Sequence, residues 1–599
     1  MPGALHGIRI IDITTVLLGP YATQMLGDMG ADIIKVEAPP TGDIARNMGT
    51  AKNVDMGGIF LNANRNKRSL ALDLKREEAK DILRRLIPTA DVLVHNMRPA
   101  AIAKLGFGYD AVQAIKPDIV YVGAYGFGQE GPYRAKPAYD DAIQAASGLA
   151  SLFKRQDGAA RYVPATIADK VVGLTLSQAI AVALLHKERT GEGQFVEVPM
   201  LETMVSFNLA EHLNGVAYKP PIGTMGYQRV TTASRRPFPT KDGHVCILPY
   251  SDRHWKNFFT GVGRPELMDD PIATDLLNWA DRVPEIRAMF EQWAADKSAV
   301  EVAAKAQALR VACTPVLDAA ALAADPHTQE RGYWEGGDQV WAQGAGGAVR
   351  FPGQPYQLSA TPSARSGDAP TLGQHTDSLR SEWSPTTADA SARPLQPEQH
   401  DPPLRGLRVV ELTANWAGPI AGRHLADLGA DVIKVEWEAR PATRALFWPG
   451  PELDLQRQGY NRAMYFNHLN RNKRDVVIDL QQERGKEIFR ELVGNADVLI
   501  ENNSARVMPN LGLGWEDLKE INPRLIYAGV SGFGTEGPDR DKPAYDPVIQ
   551  AQAGFAAVQG QGKEGPEFVR NLTCDKVTAY TACQAVTAAL YLREKTGEG

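Results

Sequence analysis

The sequence predicts an α/β fold: a Rossmann-like large domain with a mostly parallel sheet, joined to a smaller α+β domain and then repeated in tandem. Three observations predict it. Short β-rich apolar runs alternate with longer helical patterns. The 599 residues are roughly four times the ~150 expected of one domain, and whole blocks of sequence return about 400 positions later.

The elements follow in order. IRIIDI (8–13) reads as a strand, GPYATQMLGDMG (19–30) as a helix, DIIKVE (32–37) as a strand and REEAKDILRRLIPT (76–89) as a helix. DVLVHN (91–96), a short helix and the strand run DIVYVGAYG (118–126) come next. That alternation predicts right-handed crossovers and a sheet covered on both faces. KVVGLTLSQAIAVALLHKERTGEG (170–193) is apolar nearly all round, so it reads as a buried helix. RPFPTKDGHVCILPY (236–250) carries Asp-Gly in a hairpin turn and is followed by three helical patterns up to residue 309, while 331–353 returns to strand and turn patterning.

Self-similarity sets the domain plan. GPYATQMLGDMGADIIKVE (19–37) returns as GPIAGRHLADLGADVIKVE (418–436), NRNKRSLALDL (64–74) as NRNKRDVVIDL (470–480), and KPAYD (136–140) as KPAYD (542–546). Leu5 pairs with Leu404 and Asn64 with Asn470, so the second unit has seven extra residues in between. The plan is a large domain over 1–224, a small domain over 225–335 and a return segment over 336–383. A Pro- and Ser-rich linker (384–403) then leads to a second large domain over 404–599. Nothing in the second unit answers to residues 194–383, so it reads as cut short and the natural chain as longer.

Composition narrows the function classes. A net charge of -6 gives no global basic field, so nucleic acid is not an expected partner. The four cysteines form no CxxC pair, which removes thiolate zinc sites and points to a reducing cytoplasm. No signal peptide is legible and no apolar run is long enough for a membrane span. GFGQEG (126–131) and GFGTEG (532–537) fit a dinucleotide fingerprint, but Pro132 and Pro538 follow at once, so both read as loops. No phosphate-binding GxxxxGK[ST] occurs, hence no ATP-driven step is expected.

Asp169 stands before the buried helix, and Asp575 stands before its second-unit match. The residue pattern favours an N-cap, and a desolvated carboxylate nucleophile is the functional alternative. Here a resemblance bears on the choice. The GP-x-A…GAD-x-IK-VE block, N-x-NKR…LDL, DVLVHNMRP, KPAYD with the following Gln, and D-x(19)-RTGEG closely resemble the class III CoA-transferases, the CaiB/BaiF or formyl-CoA transferase family.

The resemblance implies two subunits threaded as interlocked rings, a pair that this tandem chain would build from its own two units as an intramolecular pseudo-dimer; a further homo-oligomer stays open. It implies that Asp169 and Asp575 accept an acyl group from a thioester, with acyl-CoA donor and carboxylic acid acceptor as substrates and neither metal nor ATP. The implied coenzyme A contacts are Lys75, Asn96, Met97, Arg98, Lys104, Lys136 and Tyr139 in the first unit and Lys542 in the second. Gln481, Ser504 and Asn510 replace three of the cations in the second unit, so Asp169 is the expected principal nucleophile. A 2-methylacyl-CoA racemase is disfavoured, because Tyr139 and Tyr545 stand where racemases carry a His. A non-catalytic acyl-CoA-binding protein is disfavoured by the two retained aspartates. Thr15 and Leu17, aligned with Asn415 and Ala417, argue against oxalate, and Trp416 reads as core packing or as a cation–π face.

Overall fold

The computed structural model describes residues 3–599 apart from 233, 250–251, 270–278, 336–341, 345–346, 350, 363–368, 382–401, 438–462 and 561–564. The expected linker 384–403 lies almost wholly outside the described residues.

In the first unit, β1 (Arg9–Ile13), β2 (Asp32–Glu37), β3 (Lys67–Ala71), β4 (Val92–His95), β5 (Val120–Tyr125) and β6 (Phe195–Pro199) form one sheet. Its order is β3-β2-β1-β4-β5-β6 and every neighbouring pair is parallel. The sequence alternation missed β3. Its opening Lys67-Arg68-Ser69 is polar and masks a strand, yet Lys67 and Ser69 are both buried.

A three-stranded antiparallel sheet follows, made of β7 (Phe238–Pro239), β8 (His244–Leu248) and β9 (Ala312–Pro315). Phe238 pairs with Val245 across the Lys241-Asp242-Gly243 turn, so the Asp-Gly hairpin forms as expected.

The second unit repeats the first. β10 (Arg408–Leu412), β11 (Asp431–Glu436), β12 (Lys473–Val477), β13 (Val498–Glu501) and β14 (Ile526–Gly529) run in the order β12-β11-β10-β13-β14, all parallel. The register repeats as well: Arg9 lies opposite Asp32 with a 2.8 Å ion pair, and Arg408 opposite Asp431 with one of 3.0 Å.

The NRNK blocks prove to be scaffolding. Lys67 is fully buried and reaches Asp12 at 3.1 Å, the Pro20 carbonyl at 2.9 Å and Asn64 Oδ1 at 3.0 Å. Lys473 reaches Glu411 at 2.7 Å, the Pro419 carbonyl at 2.8 Å and Asn470 Oδ1 at 3.0 Å. In each unit a buried lysine thus ties the first strand's carboxylate to the first turn of the next helix. A buried charge needs such a partner, since alone it would shed its proton or cost several kcal/mol.

Two long helices, Ile167–Thr190 and Thr573–Thr596, pack against each other between the sheets. Leu176, Ile180 and Leu184 belong to the same buried cluster as Ala579, Cys583 and Val586, so the two units share one core. The first of these helices is long and apolar enough to span a membrane, and its apolar surface is buried within the protein.

The chain also crosses between units. Beyond β6 the chain leaves the first sheet, and helix Met200–His212, β8 and β9 meet the second unit. There His327 Nε2 donates to the Phe533 carbonyl at 2.8 Å, and His327 Nδ1 accepts from the Asp539 N–H at 3.2 Å. The GFGTEG segment is therefore a docking loop and opens no helix. The chain then returns: Ser69 N–H donates to His375 at 3.2 Å and Ala71 N–H to Thr376 at 3.1 Å, so TLGQHTD closes the open edge of β3.

Candidate active site

In a parallel sheet whose strand order reverses, the crevice lies beyond the carboxyl ends of the strands at the reversal. Here that is between β1 and β4, and between β10 and β13. One side chain bridges each crevice. Asn96 accepts from the Thr15 N–H at 3.0 Å and donates to the Thr15 carbonyl at 2.9 Å, while Asn502 does the same to Ala414 at 2.8 and 2.7 Å.

The next residue adopts a left-handed backbone in both units, Val16 at φ 72 and Asn415 at φ 63. For a β-branched residue this is strained, and such strain collects at functional turns. These contacts correct the expected alignment by one position: Thr15 answers to Ala414, and Leu17 to Trp416. The turn feeds helices Leu18–Asp28 and Ala417–Asp427, neither with a side-chain cap. Their GP openings are steric, because a Cβ on Gly19 or Gly418 would sit 2.3 or 2.4 Å from the Thr14 or Thr413 side chain.

The N-cap reading of the two aspartates is overturned. The N-cap positions of helices Ile167–Thr190 and Thr573–Thr596 are held by Thr166 and Leu572, neither of which makes a side-chain cap bond, and this places Asp169 and Asp575 inside the first turn. The capping is done from afar by the aspartate of KPAYD. Asp140 Oδ1 accepts the Asp169 N–H at 2.9 Å, and Asp546 Oδ1 accepts the Cys574 N–H at 2.8 Å. Each capping aspartate is held by the glutamine four residues on, Gln144 or Gln550, at 2.7 Å. Gln144 also accepts the Val163 N–H at 2.9 Å, and Gln550 the Val569 N–H at 2.8 Å.

Asp169 and Asp575 are thereby left with carboxylates that no described residue hydrogen-bonds. Burial first, and the charge of Asp140 second, push Asp169 up to about 7. Burial also pushes Asp575 well above the usual carboxylate range, reinforced by Asp546 and Glu211 and opposed by Arg235 and Lys576.

Asp575 lines a cleft between the two units. A cavity of about 220 Å³ is walled on one side by Asn415, Trp416, Ala417, Asn502 and Asp575 of the second unit, and on the other by Arg235, Phe238 and Phe290 of the first. First-unit groups complete it. Arg235 lies 3.4 Å from Asp546, and Glu211 accepts the Leu572 N–H at 3.0 Å and pairs with Lys576. Arg570 of the second unit, fully buried, holds the Arg235 segment by donating to its carbonyl at 2.6 Å and to that of Thr232 at 3.3 Å.

The expected coenzyme A contacts are not gathered at this cavity. Lys75, Arg98 and Lys104 are exposed beyond the ends of β3 and β4 in the first unit, with no ion pair among the described residues. Lys136 lies over the Tyr133 ring at 3.6 Å, Tyr139 is 77% exposed, and Met97 packs on the first sheet's outer core. Lys542 pairs with Asp539 at 2.7 Å. Asn96 is a scaffold residue for the turn at Thr15. Sequence reasoning missed Arg235, Glu211 and Arg570, and only the cross-unit packing reveals them. Gln144 and Gln550 did carry a signal, since they recur four residues after the KPAYD aspartate in both units.

Comparison with known proteins agrees with this geometry. The sequence profile of CoA-transferase family III matches residues 5–376 and again 404–599. Succinate–glutarate CoA-transferase of Agrobacterium fabrum is 32% identical over 381 residues, covering 62% of this chain and 93% of the relative. Formyl-CoA:oxalate CoA-transferase of Escherichia coli O6:H1 is 30% identical over 406 residues, covering 64% and 96%. The crystal structure of a CAIB/BAIF family protein from Brucella suis superimposes with a TM-score of 0.56 at 27% identity, covering 64% of this chain and all of that one. With two profile matches, two like-ordered parallel sheets and a KPAYD aspartate capping the long helix of each unit, the chain belongs to CoA-transferase family III and is an enzyme of that class.

Proposed function

We propose that the protein moves coenzyme A from an acyl-CoA donor to a free carboxylic acid, with Asp575 as the nucleophile of the cleft between the units and Asp169 as its counterpart in the first unit. The observation that carries the reading is a carboxylate in a cavity, without hydrogen-bond donors of its own, on a helix whose cap is supplied by a different aspartate.

The chemistry balances without an outside reagent. The Asp575 carboxylate attacks the thioester carbonyl, the C–S bond breaks, and a mixed anhydride and coenzyme A thiolate result. The thiolate attacks the aspartyl carbonyl, the donor acid leaves, and an aspartyl-CoA thioester remains. The acceptor carboxylate attacks that thioester and releases the thiolate. The thiolate then takes the new acyl group and frees Asp575. Developing oxyanions would be met by the uncapped first turn at Ala417 and by Asn415, which line the same cavity.

The exposed cations Lys75, Arg98 and Lys104 suit the phosphates of a coenzyme A approaching the first unit's crevice, so that Asp169 would work there. The racemase reading loses support, because Asp140 and Asp546 are committed to capping and the residue before each is a tyrosine. All four cysteines are free, in keeping with a cytoplasmic setting.

The test is to trap the intermediate. Brief incubation with an acyl-CoA followed by acid quench and peptide mass analysis should find the coenzyme A adduct on the peptide holding Asp575 or Asp169. Turnover with neither peptide modified would end the reading.

A further inference from the structure

The segment that carries Asp575 is held on both sides by one helix of the other unit. Helix Met200–His212 of the first unit sends three side chains across, Asn208, Glu211 and His212. His212 Nε2 donates to the Arg570 carbonyl at 2.9 Å, while its Nδ1 accepts the Tyr227 N–H at 3.1 Å. Asn208 Oδ1 accepts from Asn571 Nδ2 at 2.8 Å, and Glu211 Oε1 accepts the Leu572 N–H at 3.0 Å. Three consecutive residues, ending at the N-cap of the helix that bears the nucleophile, are thus fixed from outside their own unit.

The fourth hold lies beyond the nucleophile. Lys576 follows Asp575 directly and is buried, and a buried ammonium needs partners. It pairs with Glu211, donates to the Phe207 carbonyl of the same first-unit helix, and donates to Asn571 Oδ1 at 2.8 Å. Glu211 therefore grips the chain on both flanks of Asp575. In the first unit Ala165 stands where the second has Asn571, and Lys170, aligned with Lys576, is exposed, so these two hooks are not repeated around Asp169.

The charges act in opposite senses. Lys576 favours the ionised form of Asp575 and Glu211 opposes it, while Arg235 and Asp546 are the other charges that bear on the same carboxyl. His212, His468 and Tyr465 surround the Glu211–Lys576 pair, and the Cys574 thiol adjoins Asp575.

We propose that Glu211 is a positioning residue for Asp575: it fixes the turn that holds the nucleophile and keeps the Lys576 charge compensated, leaving the Asp575 carboxylate to attack the thioester. The proposal rests on coenzyme A transfer at Asp575, and it assigns the alignment of one unit's nucleophile to the other unit.

The experiment uses the whole chain carrying Asp169→Ala, so that only the second unit turns over, and follows exchange between succinyl-CoA and succinate labelled with carbon-13. Glu211→Gln keeps an oxygen for the Leu572 N–H and removes the charge that compensates Lys576. The expected result is a kcat lowered about tenfold with KM for succinyl-CoA within about twofold, together with an acidic limb of the kcat/KM profile displaced about one pH unit downward. Lys576→Met removes the cation and leaves Glu211, so its limb should move upward by a similar amount, and either variant decides if the other does not fold. The double variant, a neutral pair of similar volume, should return the limb to the parent position. An unmoved limb in either folded single variant overturns the proposal, as does a limb that stays displaced in the double. So does a raised KM with unchanged kcat in Glu211→Gln, which would make Glu211 a determinant of binding. Absence of exchange in the Asp169→Ala parent, with no coenzyme A adduct on the Asp575 peptide, fails the transferase reading at Asp575 itself, and the proposal falls with it.

Discussion

Arg235 of the first unit stands 3.4 Å from the Asp546 carboxylate of the second, and Asp546 caps the helix turn that carries Asp575. The two residues are 311 positions apart in sequence, so the charge environment of Asp575 in one unit is set in part by the other unit. Arg235 pulls the Asp575 carboxyl down against burial and Asp546, which push it up. Arg235→Gln should therefore raise the acidic limb of the kcat/KM profile, by about one pH unit for a close charge removed from a partly buried site. Arg235→Lys should move it less. A profile unchanged in both variants would show that Arg235 does not reach the nucleophile.

The two aspartates are separable by mutation. Asp575→Ala should abolish coenzyme A exchange at the cleft between the units, a loss on the order of a thousandfold or more for a covalent nucleophile. Asp169→Ala measured alongside reports how much turnover the first unit contributes. Full retention of exchange in Asp575→Ala together with loss in Asp169→Ala would assign the chemistry to the first unit.

The caps are testable through stability. Asp140→Asn keeps the shape and the cap to Asp169 but turns the other oxygen into a donor facing the Gln144 amide, so it should lower stability by about 1–2 kcal/mol. Gln144→Leu strands the buried Val163 N–H and an Asp140 oxygen at once, and should cost about 2–3 kcal/mol. Urea denaturation of both variants checks the order.

Stability should also depend on pH through Asp169. Its folded-state value, about 7, lies above the unfolded value near 3.8, so the native state binds the proton more tightly. The contribution is present in full below about pH 3.8 and is lost as pH rises through 7. Asp169→Asn removes that loss, and should be the more stable protein at pH 8 by roughly 2–4 kcal/mol, with little advantage at pH 4. Thermal melts at the two pH values decide it.

The buried lysine of the NRNK block should matter for folding and little for chemistry. Lys67→Met leaves Asp12 buried beside Lys35 alone, and removing one partner of a buried pair costs about 3–5 kcal/mol. Soluble yield and urea midpoint should drop sharply, while any folded fraction keeps its KM for acyl-CoA.

Much of the fold was legible because it rests on local pattern. A run such as DIIKVE needs only its own apolar residues to declare a buried strand, and the same blocks occur twice. β3 escaped because Lys67 and Ser69 are polar, and polarity in a strand is interpretable only when the partner is known, here Asp12 for one and Glu37 for the other. Asp169 and Asp575 were legible as candidates, but the cap reading failed because each helix begins two residues before the aspartate. The expected coenzyme A cations were legible as charges and remain solvent-facing in the first unit.

The sequence by itself determined the duplicated α/β plan, the two aspartates and the KPAYD-Gln motif, because each is a matter of residue type and short spacing. Only the tertiary structure decided that Asp140 and Asp546 are the caps, that the small domain of the first unit closes over Asp575 of the second, and that Arg235, Glu211 and Arg570 belong to the same site. The caps depend on contacts 28 and 29 positions apart, and the cross-unit facts on contacts between residues more than 300 positions apart, formed when two helices bury a shared apolar face. Local spacing carries no information about which distant surface will cover a given carboxylate, and it is that covering that raises the proton affinity of Asp575.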